Sequence, residues 1–263
     1  MPRLTLLQHG RAALTRHTRA RATWFGKTLL DLVYPPRCVR CQGELPPTPH
    51  GGLLCEGCCR RLAPEEWNGC RRCGAGVREG LPRPETCPHC RRFPLFFDAA
   101  SPLGPYQGEL REAVLHTKRL SQESLSMAVA QLLAQRRGEE LARFQPDLIV
   151  PIPMHWWRRF WRGVNNAEIL AEYLGRRLGK PVMGRLLVRR RSTRPQKDLS
   201  LEERFANVRN AFRLRRSDPA RWKGSHVLLV DDILTTGATA SEAARVFKQA
   251  GAAAVAVAVL ARA

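Results

Sequence analysis

Residues 227–239 read Val-Leu-Leu-Val-Asp-Asp-Ile-Leu-Thr-Thr-Gly-Ala-Thr, and no other stretch restricts the fold so tightly. An apolar run such as Val227–Val230 is what a strand buried on both faces of a parallel sheet requires, and ligands of such sheets gather at the carboxyl ends of the strands. Asp231 and Asp232 stand at that end. Thr235, Thr236, Gly237, Ala238 and Thr239 then offer backbone N–H groups and hydroxyls at the start of an expected helix, 238–250, whose dipole favours a phosphate. Gly237 lets the backbone come close. Acids for hydroxyls followed by amides for a phosphate make a pocket for a phosphorylated sugar. An ordinary strand-turn-helix with acids at its cap would use similar residues, but the hydroxyls, the glycine and the acid pair would then have to coincide by accident.

The segment resembles, at every position, the signature by which type I phosphoribosyltransferases hold phosphoribosyl pyrophosphate (PRPP). That resemblance implies that Asp231 and Asp232 bond the ribose hydroxyls and that Thr235, Thr236, Gly237, Ala238 and Thr239 cradle the 5-phosphate. Magnesium, a hard cation preferring oxygen ligands, is expected to accompany PRPP.

Eight of the nine cysteines form four Cys-x-x-Cys pairs, Cys38/Cys41, Cys55/Cys58, Cys70/Cys73 and Cys87/Cys90, and the pattern recurs with a period of 32 residues. Two intervening residues let both thiolates of a pair reach one tetrahedral zinc. Consecutive pairs would share a metal, giving two zinc ions. Gly43 and Gly74 sit just past the first pair of each unit, where a turn needs a permissive backbone. Disulfides would leave one cysteine over, and a redox Cys-x-x-Cys normally occurs once. Four thiolates saturate zinc and leave no position for water, so both sites are expected to be structural. Cys59 falls outside the pattern, and His50 and His89 read as ordinary surface side chains. Prolines 35, 36, 46, 47, 49, 82 and 84 and a shortage of large aliphatics mark a small module in which metal replaces a core.

The formal net charge is +21, from 44 Lys and Arg against 23 acids, which implies a polyanionic partner. One PRPP needs only a local patch, whereas basic residues are spread over the N-terminus, the cysteine module, residues 156–162 and residues 185–194. Single-stranded nucleic acid fits that spread, although an Arg-rich composition can also follow from a GC-rich genome. Arg60, Arg61, Arg71, Arg72, Arg91 and Arg92 would decorate the cysteine module. The longest apolar stretch, 250–261, falls short of the roughly 20 residues a membrane span needs and reads as a buried strand. Residues 1–28 are basic without an acid and lack the apolar core of a secretory signal, so a cytoplasmic protein is expected.

A helical stretch, 109–143 with a break near Ser121, precedes a strand over 147–152. Next comes a basic, aromatic loop with Trp156, Trp157 and Trp161, and a helix over 167–178. In the type I fold the loop after this early strand binds pyrophosphate, which implies that Arg158, Arg159 and Arg162, with Lys118 as an alternative, stabilise the leaving group. Arg162-Gly163-Val164-Asn165-Asn166, with Leu115 and Lys118 upstream and Gln196, Arg204, Asn207 and Phe212 downstream, resembles the ComF family of competence-associated proteins. Val164 and Asn166 depart from the aromatic and the Gln usual there. Residues 189–204, with Thr193, Gln196 and Lys197, fall where related enzymes carry a mobile hood over PRPP, and would equally suit a solvated loop contacting nucleic acid.

The expected architecture is therefore α/β: a type I phosphoribosyltransferase-like parallel sheet with flanking helices over residues 96–263, preceded by a double zinc-ribbon module over 34–95 and a basic extension over 1–33. The resemblance implies a PRPP-binding protein that handles single-stranded DNA during DNA uptake, with DNA-uptake proteins as partners. A nucleobase phosphoribosyltransferase and a non-catalytic PRPP sensor are the alternatives. The acceptor is not legible.

Overall fold

A computed structural model describes residues 35–46, 52–77, 81–118, 122–154, 165–194, 199–215 and 222–263. The chain divides into two compact units, 1–55 and 56–263. In the first, a tight knuckle is closed by hydrogen bonds from the Cys38 N–H to the Gly43 carbonyl and from the Gln42 N–H to the Cys38 carbonyl, with an antiparallel bridge between Arg37 and Glu44.

The second unit begins with α1 (Glu56–Leu62) and a second knuckle. There the Cys70 N–H bonds the Ala75 carbonyl, the Gly74 N–H bonds the Cys70 carbonyl, and Gly69 bridges Gly76. Every one of these contacts repeats the first knuckle at a spacing of 32 residues, so the sequence period is also a backbone period. α2 (Pro88–Arg92) closes this ribbon. The left-handed residue is Gln42 in the first knuckle (φ 61°) and Gly74 in the second (φ 68°). Gly43 is therefore not the permissive position that sequence spacing implied, because the copy of Gly74 one period earlier is Gln42.

The remainder is an α/β domain: β1 (Ala99–Pro105), α3 (Gly108–His116), α4 (Glu123–Arg143), β2 (Leu148–Pro151), α5 (Asn166–Leu178), β3 (Leu187–Arg189), α6 (Leu201–Val208), β4 (Phe212–Leu214), β5 (His226–Leu234), α7 (Ala238–Gln249) and β6 (Ala254–Arg262). Four strands form a parallel sheet in the order β1-β6-β5-β2, and β3 and β4 form a separate antiparallel hairpin. The alternating Ala and Val of β6 are buried from Val255 to Ala261, as expected for a strand covered on both faces. α4 and α5 pack on each other and over the sheet. Val227, Leu229, Val255, Val257 and Val259 join Phe247 of α7, Leu187, Phe212, Cys70 and Cys73 in one continuous core.

The long helical stretch resolves into α3 and α4, and the apolar run 250–261 into a turn at Gly251 (φ 92°) followed by β6. β5 runs beyond the acid pair, since β6 is long enough to pair with it as far as Leu234. Asp231 and Asp232 thus belong to the strand itself, where ladder hydrogen bonds fix their direction. Among the described residues no helix is long and apolar enough to cross a membrane.

Candidate functional site

A cavity of about 300 Å³ opens at the carboxyl ends of β2 and β5, lined on one side by Asp231, Asp232, Thr235, Gly237, Ala238 and Thr239. The Asp231 carboxylate accepts from the Asp232 N–H (2.8 Å), and the Asp232 carboxylate accepts from the Ile233 N–H (2.8 Å), so each acid is oriented by the backbone that follows it. Burial first, and then the neighbouring Asp232 carboxylate, push Asp231 well above the usual carboxylate range, with Arg189 pulling weakly the other way. Gly237 adopts φ 82°. A side chain there would also press on Leu95, 3.2 Å from an added Cβ, and on Phe97. Thr236 is buried, and its hydroxyl accepts from the Ala238 N–H at the start of α7. It does not line the cavity, so its side chain shapes the turn.

The opposite wall holds Lys118, Asn165, Arg189, Thr193 and Arg194. Lys118 Nζ lies 3.8 Å from Asp232, each side chain about a quarter exposed. Asn165 caps α5, its side-chain oxygen accepting from the Ala167 N–H. Asn166 is buried: its amide donates to the Thr117 hydroxyl (2.8 Å) and its carbonyl accepts from Ser126 (3.0 Å). These bonds tie the start of α5 to α4 through Ser126 and to the turn that carries Lys118 through Thr117. Phe212 stacks beneath the Arg189 guanidinium, and Asn207 makes two bonds to the backbone of Arg194. Of the downstream residues singled out in the sequence, Asn207 and Phe212 therefore hold the arginines of this wall, while Arg204 bonds the Leu199 carbonyl. Arg158, Arg159, Arg162, Gly163, Val164, Gln196, Lys197 and the three tryptophans lie outside the described residues.

In each cysteine group, Cys38/Cys41/Cys55/Cys58 and Cys70/Cys73/Cys87/Cys90, the four sulfurs lie within 4.8 Å of one another, and none of the nine cysteines is disulfide-bonded. Four ligands at about 2.3 Å from a tetrahedral zinc stand roughly 3.8 Å apart. The sulfur separations fit: 3.7 Å for Cys41 and Cys55, 3.7 Å for Cys70 and Cys90, 3.5 Å for Cys73 and Cys87, 3.8 Å for Cys87 and Cys90. Both groups are suited to structural zinc. Of the ribbon arginines, Arg60, Arg61, Arg71 and Arg92 pair with Glu56, Glu109, Glu85 and Glu202, all surface pairs of small energetic weight. Arg72 is committed to the Leu95 carbonyl (2.7 Å). Part of the basic excess is thus structural. His89 is half-buried against the turn 235–239, its Nε2 lying 2.9 Å from the Thr236 carbonyl oxygen, and is not the free surface side chain the sequence implied.

A family model for the phosphoribosyl transferase domain matches residues 116–263, and one for the double zinc ribbon domain matches residues 29–91. Competence protein F of Haemophilus influenzae is 30% identical over 218 residues, 82% of this chain and 92% of that one. The chain belongs to the ComF family. The DNA utilization protein YhgH of Salmonella typhimurium, another relative, is 34% identical over 221 residues, covering 78% of this chain and 94% of its own. Competence protein ComFC of Bacillus subtilis shares 34% identity over 116 residues, 43% of this chain and 44% of its own. Among solved structures, orotate phosphoribosyltransferase from Aeropyrum pernix covers 54% of this chain and 62% of its own at 23% identity and a TM-score of 0.33. This ComF member thus joins a phosphoribosyltransferase-type domain to a double zinc ribbon.

Proposed function

We propose that the chain binds PRPP with magnesium in the cavity at the ends of β2 and β5, and uses that site in handling single-stranded DNA during DNA uptake. The observation that carries the reading is the convergence on one cavity of two oriented acids, Asp231 and Asp232, the amide-rich turn 235–239, and the cations Lys118, Arg189 and Arg194. Acids that accept from ribose hydroxyls belong beside amides that bind the 5-phosphate, with cations opposite for pyrophosphate. Magnesium bound with PRPP would neutralise pyrophosphate charge, its oxygen ligands coming from the ligand and from Asp231 or Asp232.

Phosphoribosyl transfer breaks the bond from C1 to pyrophosphate through an oxocarbenium-like state. Catalysis then consists of holding the ribose, stabilising the leaving group and excluding water. Asp232 releases Lys118 when it turns to a ribose hydroxyl, and Lys118, together with Arg158, Arg159 and Arg162, then faces the pyrophosphate. Of the segment expected to form a hood, Arg189, Thr193 and Arg194 line the cavity and would cover the ligand on that side. The names of the relatives, a competence protein and DNA utilization proteins, and the +21 charge support single-stranded DNA as the polymer handled, recognised through phosphates and stacking on Trp156, Trp157 and Trp161.

Calorimetric titration with magnesium and PRPP, followed by pyrophosphate release measured with nucleobases and with single-stranded oligonucleotides, tests the proposal. Binding with turnover dependent on an acceptor makes the protein a transferase; binding without turnover makes it a PRPP-responsive DNA-handling protein. Absence of PRPP binding sinks the site. Absence of oligonucleotide binding by fluorescence anisotropy at low salt sinks the DNA role.

A further inference from the structure

Arg262, the last residue of β6, is buried at 8% exposure beneath the phosphate loop. Its Nε donates to the Cys73 carbonyl (2.9 Å), and its Nη1 donates to the carbonyls of Leu234 (3.2 Å) and Thr235 (2.5 Å) and to that of Ala263. One guanidinium therefore spans a residue of the second cysteine group, the last residue of β5 and the first residue of the phosphate loop. His89, between Cys87 and Cys90, donates from Nε2 to the Thr236 carbonyl at 2.9 Å. Three consecutive carbonyls leading from β5 into the loop are thus held by side chains, and His89 belongs to the ribbon itself. In a trans peptide the N–H points opposite to the preceding carbonyl. Pinning the carbonyls of 234, 235 and 236 therefore fixes the directions of the N–H groups of 235, 236 and 237. These are the amides that a phosphate would need.

We propose that Arg262 and His89 are positioning residues that couple the second zinc ribbon to the phosphate loop, so that zinc at Cys70/Cys73/Cys87/Cys90 and phosphate at 235–239 each strengthen the binding of the other. The proposal rests on the PRPP reading of the cavity and on the fit of the four sulfurs to zinc. Its physical basis is shared structure. Zinc fixes the Cys73 backbone and α2, Cys73 and α2 fix Arg262 and His89, and these fix the loop. Binding coupled in this way is reciprocal, so the effect can be read at the metal as well as at the ligand.

Zinc-loaded full-length protein is challenged with a colorimetric chelator selective for zinc over magnesium, with and without magnesium and PRPP, and PRPP affinity is measured by calorimetry on the same samples. PRPP is expected to slow release of one of the two zinc ions about fivefold or more and to leave the other unchanged. Arg262→Met should abolish that protection and weaken PRPP binding about tenfold. His89→Ala, a milder change that serves if Arg262→Met does not fold, should lessen both. PRPP that fails to bind the unaltered protein would overturn the site reading and this proposal with it. PRPP that binds while both zinc ions leave at unchanged rates would overturn the coupling alone.

Discussion

In both cysteine groups two thiols are buried, Cys38 and Cys58 in the first and Cys70 and Cys73 in the second, but only Cys70 and Cys73 belong to the core of the sheet domain, with Cys87 and Cys90 packed against it, while Cys41 of the first group is exposed. The knuckles are near copies in backbone, but their surroundings differ. Burial acts to raise the Cys38 thiol, yet backbone N–H donors of Cys41, Cys55 and Arg40 outweigh it and bring the thiol down to about 6. In Cys73 burial dominates, assisted by the thiols of Cys90 and Cys87, and pushes the group up. One 32-residue unit thus serves once as a knuckle with a solvated rim and once as part of a larger core. Metal loss should remain local in the first case and spread in the second.

The largest effect expected of this contrast is in stability. Cys70→Ser with Cys73→Ser should cost about 4 kcal/mol or more and lower the main thermal unfolding midpoint by roughly 10 °C or more. Cys41→Ser with Cys55→Ser should move that midpoint by about 3 °C or less. Equal shifts in scanning calorimetry would break the comparison.

Asp231→Asn together with Asp232→Asn should weaken PRPP binding roughly 30-fold or more, from about 1–3 kcal/mol per lost charge-assisted contact, while zinc content and the unfolding midpoint stay those of the parent. A fall in zinc content would mean that the two regions are not separable in this direction. A third effect is set by pH. Because burial and the Asp232 carboxylate raise the Asp231 pKa, Asp231 keeps its proton to higher pH than an ordinary carboxyl group, and if its carboxylate accepts from a ribose hydroxyl as proposed, PRPP binding should release up to one proton. Affinity should therefore rise with pH, by at most about tenfold per unit, until Asp231 ionises, and the pH slope should flatten in Asp231→Asn. Calorimetry in buffers of different ionisation enthalpy reads the proton directly. The smallest effect concerns the turns: Gln42→Gly should stabilise the first knuckle by about 1 kcal/mol by relieving a left-handed non-glycine. Gly74→Gln should destabilise the second by at least as much, since an added Cβ would also meet Pro102 at 3.0 Å. Zinc retention under chelator should follow the same order.

The acid pair, the hydroxyl-rich turn and the four cysteine pairs were legible because each is local: the chemistry and the backbone it needs lie within a few residues. Arg262 was not. It follows an apolar run and looks like the polar end of a strand, and its partner Cys73 is 189 residues away. Asn166 read as a departure at a loop position, whereas its buried bonds to Thr117 and Ser126 depend on α3 and α4 meeting α5, which no local pattern encodes. Arg72 counted as surface charge in composition but serves as a donor to the Leu95 carbonyl. The parallel sheet itself was readable from the apolar strands. The length of β5 past the acids was not, since it depends on β6 alongside.

A crystal structure of the full chain with PRPP and magnesium tests the central claim most directly. The account predicts the 5-phosphate on the amides of 235–239, ribose hydroxyls on Asp231 and Asp232, and Arg262 still bonded to the Leu234 and Thr235 carbonyls. A ligand bound elsewhere, or a phosphate on the loop with Asp231 and Asp232 turned away from the ribose, would contradict it.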